Sequence, residues 1–492
     1  MIVLFNPIST SPGKQPLPLS LLSLAAVLER SEPWVLVDGN LVSDPTAEIV
    51  DRLSRVPPDE PTLLAVTVMP GPQLSQAIAV CRRVKVARPG TPIVWGGYFP
   101  TQHADTVLAS RYVDYVIRSQ GEQALVELVA ALRGRRGLDG VGSLSWKNGE
   151  RIVHNSNGPL TPLDDLPDLP YERVDIERYV HANYLGRRTI AHSSSFGCPF
   201  ACSFCAVVAM SNRRWLAQSP SRLERVLRHL AATYRVDAVQ MHDMDFFISE
   251  ARTAEFCERI AGLGVRWWAL GRVDTLMHYS EATWRKMAAS GLKMVFCGAE
   301  SGGDDTLQAM GKGGNASTKL TLDLAYRMRR YGIVPEYSFV LGCPPDPLAD
   351  LARTFDFIRE IKTINPATEI VLYTYTPVPL DGALYDRARQ GGFSFPATLD
   401  EWASPAWRQL SMRRGEGIPW MASDVRRRIR NFERVINAYY PTTTDPRLTR
   451  WRRAALRALS GWRYALRFYD APYELRALHR LLHYQRPETT GF

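Results

Sequence analysis

Between residues 197 and 205 the chain reads Gly197-Cys-Pro-Phe-Ala-Cys-Ser-Phe-Cys205, which places three cysteines at i, i+4 and i+7 in a single loop. Three soft thiolates at that spacing can hold a metal or an iron–sulfur cluster. Zinc more often takes a fourth Cys or His from a similar second pair, and no such pair is spaced that way. A four-iron cubane held by three thiolates leaves one iron open to another ligand. Cys81, Cys257 and Cys297 fall in helix or strand patterns and read as core. Cys343 reads as a small buried residue more readily than as a group acting on substrate. Seven cysteines, odd in number and mostly scattered, do not form a disulfide framework.

Larger elements must position that loop. The chain has 492 residues, too many for one core. Its composition, 45% hydrophobic and 22% charged, excludes wholesale disorder. No run of about 18 uninterrupted apolar residues occurs, so no spanning helix is expected. The start, MIVLFNPISTSPGK, has neither the basic segment nor the long apolar run of an export signal, so a cytoplasmic protein is expected. The formal charge is +10, and the stretch Asp424 to Arg486, with 15 Arg and 5 acidic residues, carries an excess equal to all of it. Only the C-terminal tail therefore has an electrostatic preference.

The fold class is α/β. Strand patterns at Ile2–Phe5, Trp34–Val37, Leu63–Val68, Ile93–Trp95 and Val113–Ile117 alternate with helical ones. They predict a Rossmann-like, doubly wound parallel sheet with its ligand crevice at the strand C-termini. Ser143–Trp146 and Arg151–His154 predict a capping hairpin. We bound this first domain at 1–156 and assign 157–187 to a Pro-rich linker or strap. Strand patterns at Thr189–Ser194, Ala238–His242, Val265–Leu270, Met294–Cys297, Glu336–Leu341 and Glu369–Tyr373 follow. Over 188–390 they predict a partial (β/α)6 barrel of TIM type, with its chemistry at the strand ends. Residues 391–492 read as an Arg- and Trp-rich helical region.

The Cys-x3-Cys-x2-Cys spacing, with Phe204 before the last cysteine, resembles the radical S-adenosylmethionine superfamily. The resemblance implies a [4Fe–4S] cluster on Cys198, Cys202 and Cys205, its open iron chelated by the amino and carboxylate groups of S-adenosylmethionine. One-electron reduction, by a donor such as flavodoxin or ferredoxin, then yields a 5′-deoxyadenosyl radical that abstracts hydrogen from an unactivated C–H bond. Later segments agree in order. His242-Asp243-Met244-Asp245 follows the second barrel strand and offers Asp243 and Asp245 to the methionyl ammonium, with helix capping as the plainer role. Arg272, after the third strand, suits the methionyl carboxylate or a surface salt bridge. Gly298-Ala-Glu300-Ser301-Gly302 matches a ribose-contacting Gly-x-Glu-Ser pattern, and Phe339-Val-Leu-Gly342 matches an adenine-lining one. Tyr375-Thr-Pro-Val-Pro379 is balanced between a rigid turn and a functional role.

A Rossmann-like unit, a strap and this barrel, in that order, look like the cobalamin-binding radical S-adenosylmethionine family over residues 1–390. Pro16-Leu-Pro-Leu19, Trp95-Gly-Gly-Tyr-Phe-Pro-Thr101 and Arg118-Ser-Gln-Gly-Glu122 carry that likeness, although Ser119-Gln120 departs from the family's common Arg-Gly-Glu-x-Glu. The resemblance implies cobalamin contacts from Gly96, Gly97, Thr101 and Glu122; a tight turn is the bland role of the glycines. No Asp-x-His-x-x-Gly is present, and His103 reads as a surface histidine. The implied activity is C-methylation of a small-molecule or natural-product substrate. The alternatives are a non-methylating oxidative cyclase, resembling the anaerobic magnesium-protoporphyrin ester cyclase, and a non-catalytic sensor. In the tail, Leu448, Trp451, Ala455, Leu459, Trp462, Leu466 and Tyr469 form an apolar stripe, with arginines on the other face. It predicts a lid docked on the barrel, or peripheral contact with an anionic membrane, ahead of nucleic-acid binding.

Overall fold

The computed structural model describes residues 1–482 except 12, 30, 58–59, 313–315, 345, 412–414 and 446–447. The first sheet contains β1 Ile2–Asn6, β2 Trp34–Asp38, β3 Leu63–Thr67, β4 Ile93–Gly96, β5 Tyr115–Ile117, β6 Leu144–Asn148 and β7 Arg151–His154, in the order β2-β1-β3-β4-β5-β6-β7. The first five strands are parallel; β6 runs antiparallel to β5 and to β7, so the expected hairpin extends the sheet edge. Val3, Phe5, Leu64, Val66 and Trp95 pack with the helices Pro45–Ser54 and Pro72–Ala87 on one face. Ile2, Leu4, Ala65 and Val94 pack with Leu19–Leu28 and Glu122–Leu132 on the other. Burial on both faces is why these strands are apolar throughout rather than alternating.

The strand order reverses between β1 and β3, where a doubly wound sheet usually opens its crevice. Here the strap fills that point: Tyr179 Oη donates to Asp38 Oδ2 at 2.9 Å, and Asp38 Oδ1 accepts from Asn6 Nδ2 at 3.1 Å. The strap is also tied to the second sheet's helices, because Arg222 donates to the carbonyls of Leu163, Leu166 and Pro167 at 2.6, 2.7 and 2.8 Å.

The second region contains β8 Thr189–His192, β9 Ser195–Gly197, β10 Trp215–Ala217, β11 Ala238–Met241, β12 Arg266–Arg272, β13 Leu292–Glu300, β14 Val334–Leu341 and β15 Glu369–Thr374. Six of these form an all-parallel sheet in the order β15-β14-β13-β12-β11-β8. The first strand ends earlier than its sequence pattern suggests. The chain turns at Ser193 into β9, which pairs antiparallel with β10 and brackets the cysteine loop. Three-residue strands are too short to register as alternation, so this pair was not expected.

Trp267, Val295 and Tyr337 face the helical layer, with Leu223, Phe256 and Leu324 in the same core. Trp268, Met294 and Val334 share the opposite, inner face. On that face Trp268 Nε1 donates to Glu336 at 3.1 Å, and burial pushes the Glu336 carboxyl up to about 7. Because folding disfavours its charged form, its share of stability is full below the unfolded value of 4.5 and is lost as pH rises through about 7. Glu336→Gln should therefore exceed wild type in stability at about pH 8, by at most about 3 kcal/mol, and match it near pH 4. Denaturant titrations at the two pH values check this.

The C-terminal region contributes the helices Ala383–Gln390, Leu399–Trp402, Pro405–Ser411, Ser423–Tyr439, Arg450–Ala465 and Tyr473–Leu482. Leu399 and Trp402 join the core of the first sheet, and Arg82 grips Asp400 at 2.6 and 2.7 Å. His103 is thereby half-buried, not freely exposed: its ring lies 5.0 Å from Phe99, 4.7 Å from Trp402 and 5.2 Å from Phe395, and burial lowers its pKa to about 4. The tail helix is also placed differently from the expected lid. It docks through Leu456, Ser460, Arg463 and Tyr464, and the stripe of Trp451, Leu459, Trp462 and Leu466 is exposed.

Candidate functional site

The cysteine loop leaves β9 and returns through the helix Val207–Ser211 to β10. Its shape is set by backbone contacts. Cys205 N donates to the Cys202 carbonyl at 3.1 Å, and Ser203 donates to the Met310 carbonyl through N at 3.0 Å and Oγ at 2.8 Å. Cys202 is buried, Cys198 and Cys205 are half-buried, and none of the seven cysteines forms a disulfide. Burial, with smaller contributions from Asp245, Cys205 and Cys202, pushes the Cys198 thiol up to about 12. Among the described residues no three His, Cys, Asp or Glu side chains converge on a single metal ion. A cubane asks for a different arrangement, one thiolate at each of three irons. Phe204 packs against the main core.

The C-terminal ends of β11 to β14 deliver the remaining side chains. Asp243 is fully engaged: its carboxylate accepts from Ser194 N at 3.2 Å and Ser194 Oγ at 2.8 Å, tying β8 to β11. Asp245 is different. Its Oδ1 accepts from Phe247 N at 3.1 Å, while its buried Oδ2 has no hydrogen-bond partner, and burial pushes the carboxyl up to about 7. An orphaned, buried carboxyl oxygen close enough to influence Cys198 is a fitting place for an ammonium group.

Arg272 is no surface salt bridge. Its guanidinium is buried, forks onto Asp274 at 3.0 and 2.8 Å, donates from Nη1 to Cys202 Sγ at 3.2 Å and lies 3.7 Å over the Phe200 ring. The fork expected to meet the methionyl carboxylate is thus already occupied, and the charge sits behind the cysteine loop. Glu300 has a left-handed φ of 64° and is buried against Lys312, which also donates to the Gly298 carbonyl. A β-bulge between Gly298 and Glu300 produces this geometry, and a Cβ at position 298 would overlap both Glu300 and Lys312. The Lys312 carbonyl in turn accepts from Arg272, so the arginine, the lysine and Glu300 form one network. Ser301, expected beside the ribose, donates instead to Asp350 at 2.7 Å. Gly342 accepts from Trp420 Nε1 at 2.9 Å, so the C-terminal region closes on the end of β14, while the Tyr375 hydroxyl is buried there without a partner.

On the first sheet, Gly97 starts the short helix Tyr98–Gln102 at φ 98°, a conformation that favours glycine. Thr101 Oγ1 donates to the Gly97 carbonyl at 2.7 Å and accepts from Ser119 N at 3.1 Å, linking the β4 and β5 loops. Gly96 has nothing nearer than the Ile117 carbonyl, so packing inside the protein does not demand its smallness. Glu122 opens the helix after the β5 loop, and its carboxylate accepts from Ser23 Oγ at 2.5 Å. The helix Val207–Ser211 packs on Tyr98–Gln102. Between them opens a cleft of about 140 Å³, lined by Thr101, Arg118 and Ser119 on one side and Met210, Asn212 and Arg214 on the other.

Sequence reasoning missed Lys312, Phe200 and Ser194. A lone lysine in a glycine-rich loop carries no pattern of its own, and the Ser194 and Phe200 roles exist only once strands and loop are assembled.

Residues 193–358, which carry the three clustered cysteines and most of the second parallel sheet, match the model of the Radical SAM superfamily. Residues 7–129 match that of the B12 binding domain, and the chain belongs to the cobalamin-binding radical S-adenosylmethionine enzymes, with a [4Fe–4S] cluster, S-adenosylmethionine and cobalamin as cofactors. It is 26% identical over 349 residues to an uncharacterized methyltransferase of Pyrococcus horikoshii, covering 70% of this chain and 73% of that protein. It is 27% identical over 363 residues to the anaerobic magnesium-protoporphyrin IX monomethyl ester cyclase of Synechocystis, covering 72% and 69%. The fold is similar to that of the radical S-adenosylmethionine methyltransferase TsrM from Kitasatospora setae, solved with tryptophan substrate and a SAM analog. There the TM-score is 0.65 at 18% identity, over 80% of this chain and 76% of that one. For the apo form of the cobalamin-dependent radical enzyme OxsB the TM-score is 0.69 at 16% identity, over 98% and 74%.

Proposed function

We propose that this enzyme methylates an unactivated carbon of a small molecule or natural product. The observation that carries the reading is the meeting of two loop ends. The helix after the cysteine loop packs on the helix after β4, and one cleft runs between them. When bound, the cluster with S-adenosylmethionine supplies one-electron hydrogen abstraction, and cobalamin supplies a transferable methyl group.

The chain's own residues hold and orient. Cys198, Cys202 and Cys205 hold the cluster, with the Arg272 cation behind them to offset their negative charge. The unpartnered oxygen of Asp245 meets the methionyl ammonium, and Glu300, fixed by Lys312, meets the ribose hydroxyls. The end of β14 at Gly342 lines the adenine. Gly96, Gly97 and Thr101 present backbone and hydroxyl to cobalamin. Asp243, Ser301 and Glu122 are spent on internal hydrogen bonds and serve the frame. Trp420 closing on Gly342 excludes water from the mouth. A one-electron donor such as flavodoxin or ferredoxin completes the system in this reading, and the cytoplasm is the proposed location. Among the described residues no helix is long and apolar enough to cross a membrane.

Turnover with S-adenosylmethionine deuterated in its methyl group tests the reaction type. Product carrying the intact labelled methyl, together with 5′-deoxyadenosine, is the expected result by mass spectrometry. Product without label, formed with loss of hydrogen, would instead indicate oxidative ring closure of the kind named in the Synechocystis relative.

A further inference from the structure

The helix Arg450–Ala465 is docked the wrong way round for an ordinary amphipathic helix, which buries its apolar face and exposes its charges. Advancing about 100° per residue, Trp451, Ala454, Ala455, Ala458, Leu459, Trp462, Ala465 and Leu466 fall on one face. Trp451 is 65% exposed, Leu459 49%, Trp462 48% and Leu466 73%. The opposite face, with Leu456, Ser460, Arg463 and Tyr464, is turned to the protein. Arg463 is buried, pairs with Glu474 and donates to the carbonyl of Asp470 at 2.7 Å. Arg467 reaches Asp356 at 2.8 Å, and Arg457 lies 5.1 Å over the Tyr439 ring. Tyr464 stacks on Tyr439 at 4.1 Å, and Arg359 lies 3.9 Å over its other side. These contacts fix the helix in its inverted orientation.

Six of the twelve large hydrophobic side chains exposed among the described residues lie between 451 and 473, with Phe468 and Tyr473 adding to the four on the helix. That concentration makes a patch, not the usual scatter of surface hydrophobes. No Asp or Glu occurs between 446 and 469, and Arg450 and Arg452 stand on the two borders of the apolar stripe.

We infer that this face lies on an anionic phospholipid bilayer, with the tryptophans and leucines in the headgroup boundary and the bordering arginines against lipid phosphates. Aromatic residues with an apolar body and a polar edge favour that depth, and bordering arginines reach the phosphates on their flexible stems. Charge complementarity selects this occupant. A second copy docked on the same face would bring a second set of arginines, with no intervening acidic residue, alongside the first. Nucleic acid would need a basic exposed face, whereas the most exposed face of this helix is apolar and Arg463 is buried against Glu474.

The test is flotation of the anaerobically reconstituted full-length enzyme with vesicles of mixed phosphatidylglycerol and phosphatidylcholine, or of phosphatidylcholine alone. The expected result is capture by the anionic vesicles at physiological salt and little by the neutral ones. The triple variant Trp451→Ser, Trp462→Ser, Leu466→Ser keeps every arginine, and should bind the anionic vesicles about a hundredfold more weakly, with its circular dichroism and S-adenosylmethionine cleavage unchanged. Three results would overturn the inference: no capture by anionic vesicles, undiminished capture of the triple variant, or a native dimer in sedimentation that the triple variant converts to monomer. The last would identify a second copy as the occupant.

Discussion

Replacing Cys202 with alanine eliminates reductive cleavage of S-adenosylmethionine by the reconstituted enzyme, a loss of at least about a thousandfold, while cobalamin uptake stays near wild type. The asymmetry follows from where the sulfur sits. Of the three thiols proposed to hold the cluster only Cys202 is buried, and Arg272 Nη1 donates to its sulfur at 3.2 Å. A cubane that loses one of three protein ligands loses both its attachment and the geometry that exposes a single iron. The loop itself should survive, because its shape rests on Ser203 with the Met310 carbonyl and on Cys205 N with the Cys202 carbonyl, none of which uses the sulfur. The β4 and β5 loops have their own ties through Thr101. Optical spectra after anaerobic reconstitution should show the corrin bands without the broad cluster absorption, and chromatography should find no 5′-deoxyadenosine. Cleavage at the wild-type rate would contradict the cluster assignment.

Lys312→Met should cost about 3–5 kcal/mol of stability and abolish measurable S-adenosylmethionine binding, because it strands a buried carboxylate. The side chains of Lys312 and Glu300 are 6% and 8% exposed, so neither charge is relieved by water. Glu300 also occupies the left-handed region, which for a residue with a side chain costs about 1–3 kcal/mol and persists only when its surroundings hold it there. The Lys312 ammonium, by bonding both the Glu300 carboxylate and the Gly298 carbonyl across the bulge, is that hold. The double variant Lys312→Met, Glu300→Gln separates the two effects. It removes the unpaired charge and should recover most of the stability in a denaturant titration, yet equilibrium dialysis should still find no nucleoside binding. Recovery of binding in the double variant would show that the pair only supports the fold.

Much of this architecture was readable before any coordinates. The six barrel strands and the first five strands carry continuous apolar runs because helices or an inner core cover both faces, and that pattern survives in one dimension. The cysteine loop was readable because its chemistry depends on local spacing. Other parts were not, for identifiable reasons. Asp243 and Asp245 are two residues apart and look interchangeable, but Ser194, in the turn between β8 and β9, saturates the first and nothing saturates the second. Arg272 and Ser301 carry suitable groups, yet Asp274 and Asp350 had claimed them. His103 looked exposed because the residues that cover it, Phe395 and Trp402, arrive almost three hundred positions later.

What the amino-acid order determined alone is the chemistry of local segments: thiol spacing, strand and helix periodicity, and the concentration of arginine in the tail. Tertiary structure decided which polar groups remain unsatisfied, and which face of an amphipathic helix meets the protein. Both outcomes depend on partners distant in sequence. Periodicity shows that the tail helix has two unlike faces, but only the positions of Glu474, Arg359 and Tyr439 seat Arg463 and Tyr464 against the protein and leave its tryptophans outside.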